Sequence, residues 1–331
     1  MLYKHFPKSN TASSALGFGC MRLPVTNPDD ATSIDEAEAI AMIRHAIDSG
    51  VTYIDTAYPY HGGASELLVG KALQDGYREK VLLATKLPVW KVEKSEDMMA
   101  LLDEQLAKLQ VDHVDFYLLH ALNKERMVTL RKLNYKAFLD EAVRQGKIRF
   151  PAFSFHDDYA TFMDILDDYS WAMCQVQMNI LDGENQATLK GIEEAGKRGI
   201  GVVVMEPLRG GLLAQPPEAV RKVYEDFPTH RSPVSWAFRY LYTMPQVITI
   251  LRWKIICASL LTPRRSPSPR RRQNYTPRSR QPMTAACAPV VPVVPIASLA
   301  PWASRFPRFS RVLIAPRCGK AVPSRRGMPR L

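Results

Sequence analysis

The sequence has few cysteines, and their spacing gives no pair. The five are Cys20, Cys174, Cys257, Cys287 and Cys318. An odd number of widely spaced cysteines without a C-x-x-C motif indicates neither a disulfide framework nor a metal site. We therefore expect no metal ligands and a reducing, cytoplasmic environment.

Long hydrophobic runs are also missing. The first ten residues, MLYKHFPKSN, contain no apolar stretch of the kind found in a signal peptide. The uncharged run over residues 281–304 is interrupted by Pro289, Pro292, Pro295 and Pro301, too many for a membrane-spanning helix. We expect neither secretion nor a membrane partner.

Acidic residues do not occur after residue 251. Residues 252–331 contain 15 Arg, 2 Lys and 13 of the 25 prolines, whereas residues 1–251 contain 27 basic and 33 acidic residues. The net charge of +11 therefore combines a body of −6 with a tail of +17. This division predicts a globular domain over 1–251 and an Arg/Pro-rich, irregular tail over 252–331.

A Rossmann phosphate loop is absent as well, because no G-x-G-x-x-G follows any apolar run. Instead, β-branched apolar runs alternate with amphipathic helical stretches through the first 251 residues. The eight strand candidates are residues 16–23, 51–56, 80–87, 113–120, 147–155, 172–179, 200–207 and 246–251. Eight strands with seven intervening helical segments predict an α/β fold of the (β/α)8 TIM-barrel type.

Two helix starts can be placed from capping signals. Ser33 and Glu36 have the spacing of a capping box before the first helix of the barrel. Ser95 is the expected N-cap of the helix between the third and fourth strands.

Four polar residues fall at or just after the ends of three successive predicted strands, where barrel enzymes carry their chemistry. The second strand ends at Asp55, with Tyr60 five residues later, the third near Lys86, and the fourth at His120. Taken singly, each has an ordinary structural role: a cap, a loop anchor, a solvated lysine or a core histidine. Together they are suited to carbonyl reduction by a hydride donor.

Such a reaction leaves negative charge on the carbonyl oxygen, which a nearby acid must protonate. A phenol has a pKa near 10 and needs help to act at neutral pH. We expect Tyr60 to donate the proton, Lys86 to lower its pKa, and Asp55 to hold Lys86 in place. His120 is expected to orient and polarise the carbonyl through a hydrogen bond.

Several ordered segments between residues 13 and 251 closely resemble the aldo/keto reductases, in particular the bacterial branch with a C-terminal ferredoxin-like segment. They are GVTYIDTAYPYHGGASELLVGKAL, VLLATKLP, HVDFYLLH, GKIRFPAFSFHD, QVQMNILD and VVVMEPLRGGLL. The resemblance implies a TIM-barrel, NADPH-dependent reductase of small aldehydes or ketones. Carried onto this sequence, the family's catalytic tetrad falls on Asp55, Tyr60, Lys86 and His120.

The resemblance also implies cofactor contacts. Positions that hold the nicotinamide carboxamide match Ser154 and Gln175, and the loop beside the pyrophosphate matches the segment from Leu208 through Arg209 to Gly210. Met205 occupies a position where many members stack an aromatic ring on the nicotinamide. Without the family context, Gln175 could simply satisfy backbone groups, and the Gly-containing loop could be a plain turn.

The resemblance stops at Leu251. Relatives continue with a loop and helix for the adenosine phosphate, the eighth barrel helix, and a C-x-x-C-x-x-C-x-x-x-C-P segment that binds a 4Fe-4S cluster and implies a redox partner. None of these is legible in residues 252–331, so we expect the eighth helix to be missing and no cluster ligands to be present.

A reading-frame shift after codon 251 is our hypothesis for this tail. The codons of PVVPVVP, residues 289–295, permit alternating Cys and Gly in one shifted frame. If the other frame downstream of codon 251 encodes no helix and no spaced cysteines, the hypothesis is wrong.

Two alternatives remain. The run PRRSPSPRRR is typical of disordered RNA-binding arms, although a +17 segment binds polyanions non-specifically in any case, and we expect no specific nucleic-acid partner. The domain could also be a catalytically weak, nucleotide-binding barrel that acts as a sensor or subunit. The favoured prediction is an NADPH-dependent oxidoreductase, impaired if the C-terminal contacts are lost.

Overall fold

The computed structural model describes residues 1–252. The expectations for the tail, the missing eighth helix and the frame shift fall on residues 253–331 and therefore lie outside the described residues. Ten strands, β1 to β10, occur within residues 1–252. They are β1 Tyr3–His5, β2 Ala12–Ser14, β3 Leu16–Gly19, β4 Tyr53–Asp55, β5 Leu82–Leu87, β6 Val114–Leu122, β7 Ile148–Phe155, β8 Met173–Gln177, β9 Gly201–Met205 and β10 Val247–Leu251.

Eight of these strands close into a parallel barrel in the order β10-β3-β4-β5-β6-β7-β8-β9. Each of the eight predicted strand segments overlaps one barrel strand, and the predicted (β/α)8 fold is confirmed. Closure places β10 beside β3, with Ile250 opposite Leu16. All eight strands run in the same direction, so their carboxyl ends meet at one end of the barrel.

Helices connect consecutive barrel strands, as right-handed parallel crossovers require. Those within residues 1–252 are α1 Glu36–Asp48, α2 Ala64–Ala72, α3 Ser95–Leu109, α4 Lys124–Lys132, α5 Tyr135–Arg144, α6 Tyr159–Asp168, α7 Thr188–Lys197, α8 Glu218–Asp226 and α9 Pro233–Tyr242. The segment 216–231, which contains α8, belongs to a separate compact unit, and the helix begins directly after Pro217.

The capping residues differ from those expected. The N-cap of α1 is Asp35, whose carboxylate accepts from the Glu38 N–H, so the proposed Ser33 capping box is wrong. In α3, Ser95 is the first helical residue, and its hydroxyl donates to the Leu133 carbonyl instead. Loops can satisfy a helix start with any nearby acceptor, and sequence spacing alone does not select which one.

The β1–β2 hairpin has no counterpart among the strands predicted from the sequence. Three-residue strands give too short an alternation to detect, yet Tyr3 pairs with Ser14 in an antiparallel ladder. The loop between them inserts Phe6, which is fully buried, into the barrel interior, with its ring centroid 4.6 Å from that of Phe116. The hairpin thus supplies apolar cover for the interior at the amino ends of the strands.

Alternation along each strand decides which side chains enter the barrel. On β4 and β6, Tyr53 and Phe116 pack in the interior cluster, whereas their neighbours Ile54 and Tyr117 pack in the outer cluster against the helices. Along each strand, every second side chain points into the barrel. The last of these inward side chains therefore lies at the carboxyl end of the barrel. That parity governs the site described next.

Candidate active site

A buried ion pair forms the centre of the site. Asp55 ends β4 and Lys86 lies on the neighbouring β5, both at inward positions, and their side chains are 3% and 1% exposed. The Lys86 ammonium donates to Asp55 Oδ1 at 2.8 Å, to the Thr56 carbonyl at 2.7 Å and to the Tyr60 hydroxyl at 3.2 Å. Three acceptors use all three N–H groups of the ammonium. Lys86 is therefore held in a single position.

The two charges support each other against burial. Desolvation alone lowers the pKa of Lys86, but the Asp55 charge and the hydrogen bonds to Asp55 and Tyr60 outweigh it and raise that pKa. Desolvation raises the pKa of Asp55, while the Lys86 charge pulls it down in part. We take the pair as ionised at neutral pH, because neither charge is left without its partner.

Tyr60 lies in the loop after β4, which folds back over the barrel end so that the phenol meets Lys86. Burial raises the pKa of Tyr60, the Lys86 charge lowers it, and the Asp55 charge raises it again, leaving it above the ordinary value. As expected, the Lys86 charge lowers the pKa of Tyr60, but burial and the Asp55 charge together outweigh it, so the resulting pKa is raised. The phenol thus keeps its proton at neutral pH.

His120 stands beside the phenol at the end of β6. Its ring centroid is 6.2 Å from that of Tyr60, edge to face, and 5.2 Å from that of Trp90. Burial lowers the pKa of His120 to about 2, aided by the positive charges of Lys86 and Arg126. Its Nδ1 is enclosed and has no hydrogen-bond partner within residues 1–252. The imidazole is therefore neutral and can donate one hydrogen bond without acting as an acid.

A buried polar network that the sequence analysis missed supports Lys86 from outside the barrel. The Gln105 amide of α3 donates to the Lys86 carbonyl at 3.0 Å and to Glu66 Oε1 at 2.6 Å, and the Thr85 hydroxyl donates to the same oxygen at 2.6 Å. Burial raises the pKa of Glu66, opposed by the hydrogen bonds from Thr85 and Gln105. The one sequence signal for this network was strand alternation, which points the polar Thr85 outward, towards the helices.

The expected nicotinamide positions lie on the next strands around the barrel. Ser154 and Gln175 are paired neighbours on β7 and β8, and both are buried. The Ser154 hydroxyl accepts from the Ala121 N–H at 2.7 Å, while Gln175 Oε1 is buried with no hydrogen-bond partner within residues 1–252. Met205 lies beside this amide, its sulfur 4.0 Å from Gln175 Nε2. An open amide oxygen, rather than one that satisfies backbone, fits a carboxamide donor.

The loop after β9 is more than a plain glycine turn. Leu208 is fully buried, and Arg209 and Gly210 follow it with positive φ angles of 47° and 68°. The Arg209 guanidinium approaches Asp182, with Nε 3.5 Å from Oδ2, and Asn179 donates to the same oxygen at 2.7 Å. A positive φ is uncommon at a non-glycine residue. At Arg209 it is accompanied by the contact of the side chain with the Asp182 carboxylate.

Residues 1–252 contain no group of three or more His, Cys, Asp and Glu side chains arranged to hold a metal ion. In the same range, no helix combines the length and the apolar character needed to cross a membrane.

The closed barrel holds the buried Lys86–Asp55 pair at the carboxyl ends of its strands, where barrel enzymes carry their chemistry. A family model described as the Aldo/keto reductase family matches residues 15–252. The chain therefore belongs to the aldo/keto reductase family.

The chain is also similar to individual proteins and solved structures. A protein of Glycine max described as probable aldo-keto reductase 1 is 35% identical over 150 residues, which cover 41% of this chain and only 40% of the soybean protein. The holo form of aldo-keto reductase AKR11C1 from Bacillus halodurans superposes with a TM-score of 0.65 at 24% identity, covering 81% of this chain and 93% of that one. The thermostable aldo-keto reductase Tm1743, solved with the inhibitor epalrestat, gives 0.64 at 26% identity, covering 81% and 96%.

Proposed function

We propose that this chain reduces an aldehyde or ketone to an alcohol, with NADPH as the hydride donor. The observation that carries the proposal is the contact of the buried Lys86 ammonium with both Asp55 and Tyr60, beside a neutral imidazole. This arrangement places a proton donor where charge develops on a carbonyl oxygen. The roles that follow are part of the proposal.

NADPH, when bound, supplies the hydride that adds to the carbonyl carbon. Tyr60 gives its phenolic proton to the carbonyl oxygen as that oxygen gains the electron pair. The Lys86 ammonium, 3.2 Å from the phenol oxygen, stabilises the tyrosinate that is left behind. Asp55 keeps Lys86 charged and holds its ammonium in position beside the phenol. Together they make proton donation possible from a phenol whose pKa is raised in the resting site.

His120 orients the substrate rather than supplying a proton. Because Nδ1 is enclosed, Nε2 is the nitrogen left to meet a carbonyl oxygen, and a neutral imidazole donates there as an N–H. Such a hydrogen bond polarises the carbonyl and places its oxygen near the Tyr60 hydroxyl.

The residues at the carboxyl ends of β7, β8 and β9 fit the nicotinamide end of the cofactor. We assign the open Gln175 Oε1 and the Ser154 hydroxyl to the carboxamide, with Met205 beside the ring. The loop from Leu208 to Gly210 is assigned to the pyrophosphate. The family's adenosine-phosphate contacts follow Leu251 and fall outside the described residues, so preference for NADPH over NADH rests on family resemblance.

A direct assay tests the function. The full-length protein is incubated with NADPH and a panel of simple aldehydes and ketones, while loss of NADPH absorbance and formation of alcohol are followed. We expect both to depend on enzyme and carbonyl, with NADPH used faster than NADH. If NADPH binds but no alcohol forms with any carbonyl, the alternative of a nucleotide-binding sensor or subunit replaces the reductase.

The state of His120 makes a prediction about pH. Since burial and nearby positive charge lower its pKa to about 2, the imidazole stays neutral across about pH 5 to 8 and does not titrate there. We expect kcat/KM for carbonyl reduction to show no acid limb from His120 in this range. The pH profile is measured for the wild type and for His120→Gln, which keeps a neutral N–H donor. A limb near pH 6.5 that disappears in His120→Gln would contradict the assignment.

The iron–sulfur segment and the frame shift after codon 251 stay predictions. They concern residues beyond 252, and the nucleotide sequence downstream of codon 251 is their test.

A further inference from the structure

Arg126 lies beside the candidate site, and residues 1–252 provide no acidic partner for it. Arg126, near the start of α4, has its guanidinium carbon 5.5 Å from the centroid of the Trp90 ring. Trp90 in turn lies 5.2 Å from the His120 ring. The indole therefore lies against both the guanidinium and the imidazole, and the three groups form one wall beside the site. The positive charge of Arg126 acts on the site, because it helps to lower the pKa of His120.

The charge of Arg126 is unusual on this surface. Further along the same helix, Arg131 pairs with Asp164 at 2.8 Å and Asp168 at 3.2 Å. Within residues 1–252, no carboxylate lies within ion-pair distance of Arg126, whose guanidinium donates through Nη1 to the Ala121 carbonyl. That bond fixes the side chain at the end of β6 and leaves its remaining N–H groups without a protein acceptor in this range.

Trp90 makes the wall suitable for a flat or extended substrate. The indole is large and 47% exposed, and it keeps apolar surface open to a ligand although the Arg126 guanidinium lies over its ring. A substrate whose carbonyl meets His120 and whose anionic group meets Arg126 would pass along this indole, which lies 5.2 Å from the imidazole and 5.5 Å from the guanidinium carbon. A planar guanidinium is well matched to a carboxylate, which it can bind through two parallel hydrogen bonds.

We propose that the preferred substrates are aldehydes or ketones that also carry a carboxylate, which Arg126 binds while Trp90 packs against the connecting carbons. This inference rests on the proposed reductase function and specifies its substrate class. The chemistry is unchanged: hydride adds to the carbonyl carbon, Tyr60 protonates the oxygen, and the carboxylate is not altered.

The test compares two substrates that differ in charge but hardly in shape, para-carboxybenzaldehyde and methyl para-formylbenzoate. We expect kcat/KM to favour the acid by roughly tenfold in the wild type, through KM, because a charge-assisted pair at a half-buried site is of that order. Arg126→Gln removes this preference and leaves the ester nearly unchanged, Arg126→Lys retains part of it, and added salt weakens it. Lys124→Gln, which removes an exposed charge from the same helix, keeps the preference.

Other results overturn the inference. If Arg126→Gln slows both substrates equally, the residue only holds the Ala121 carbonyl and has no role in selectivity. If Lys124→Gln abolishes the preference as well, the effect is a general surface charge. Reduction of the ester without preference for the acid leaves the reductase function standing and rejects the substrate class.

A binding measurement keeps the two proposals separate if neither aldehyde is reduced. Quenching of tryptophan fluorescence is titrated with para-(hydroxymethyl)benzoate and with its methyl ester. Tighter binding of the acid that falls about tenfold in Arg126→Gln supports the anion site in the absence of turnover. Equal affinities for acid and ester, or no effect of Arg126→Gln, reject it.

Discussion

Replacing Tyr60 with phenylalanine is expected to lower kcat for carbonyl reduction by roughly a hundred- to ten-thousandfold, the usual contribution of a positioned general acid. The ring remains in place and only the hydroxyl is lost, so the Lys86–Asp55 bond at 2.8 Å is not broken. Binding of NADPH, followed by quenching of tryptophan fluorescence, should change little. The measurement is single-turnover or steady-state reduction of an aldehyde that the wild type accepts.

The matched control is Tyr58→Phe in the same loop. The Tyr58 hydroxyl accepts from Lys91 at 2.8 Å, away from the ion pair, and its loss should leave kcat within about twofold of the wild type. The role given to Tyr60 is rejected if Tyr60→Phe keeps most of the activity or if both variants lose it alike.

Replacing Lys86 with methionine is expected to harm both activity and stability. The variant leaves Asp55 buried without its cation, which typically costs about 3–5 kcal/mol in the free energy of unfolding. It also removes the charge that stabilises the tyrosinate, so reduction should fall by at least a hundredfold. Urea unfolding followed by circular dichroism and an activity assay measure the two effects on the same preparation.

Two companion variants separate stability from catalysis. Lys86→Met combined with Asp55→Asn removes the uncompensated charge and should recover much of the lost stability, but none of the activity. Lys71→Met breaks the exposed pair with Glu36 and should have a much smaller effect on unfolding, because solvent screens such pairs. Wild-type stability in Lys86→Met, or activity in the double variant, would show that the ion pair is not what holds this site.

Strand positions and side-chain parity were accessible from the sequence because they depend on local order alone. Apolar runs such as KVLLATKL mark a strand, and alternation then puts Ala84 and Lys86 on one face and Thr85 on the other. The same rule put Asp55 and His120 inward on their strands. Since parallel strands end together in a closed barrel, three of the tetrad residues could be expected to converge before any contact was known.

Loop geometry was not accessible in this way. Tyr60 reaches Lys86 through a loop in which His61 and Gly62 adopt positive φ angles of 53° and 60°. The spacing of five residues from Asp55 shows only that such a return is possible. Tyr58 and Tyr60 both follow Asp55 in this loop, but only the Tyr60 hydroxyl meets the Lys86 ammonium, whereas that of Tyr58 accepts from Lys91. The N-cap of α1 was predicted at Ser33 but lies at Asp35 for the same reason, since several nearby acceptors compete for a helix end.

The sequence by itself determined which residues line the barrel and at which end the polar ones gather, because periodicity and strand direction follow from local chemistry. Only the tertiary structure decided their electrostatics. The raised pKa of Tyr60 and the lowered pKa of His120 arise from burial and from charges that are distant in sequence but close in space. The wall formed by Trp90 and Arg126 likewise joins the connection after β5 to helix α4, which come together only when β5 and β6 pair.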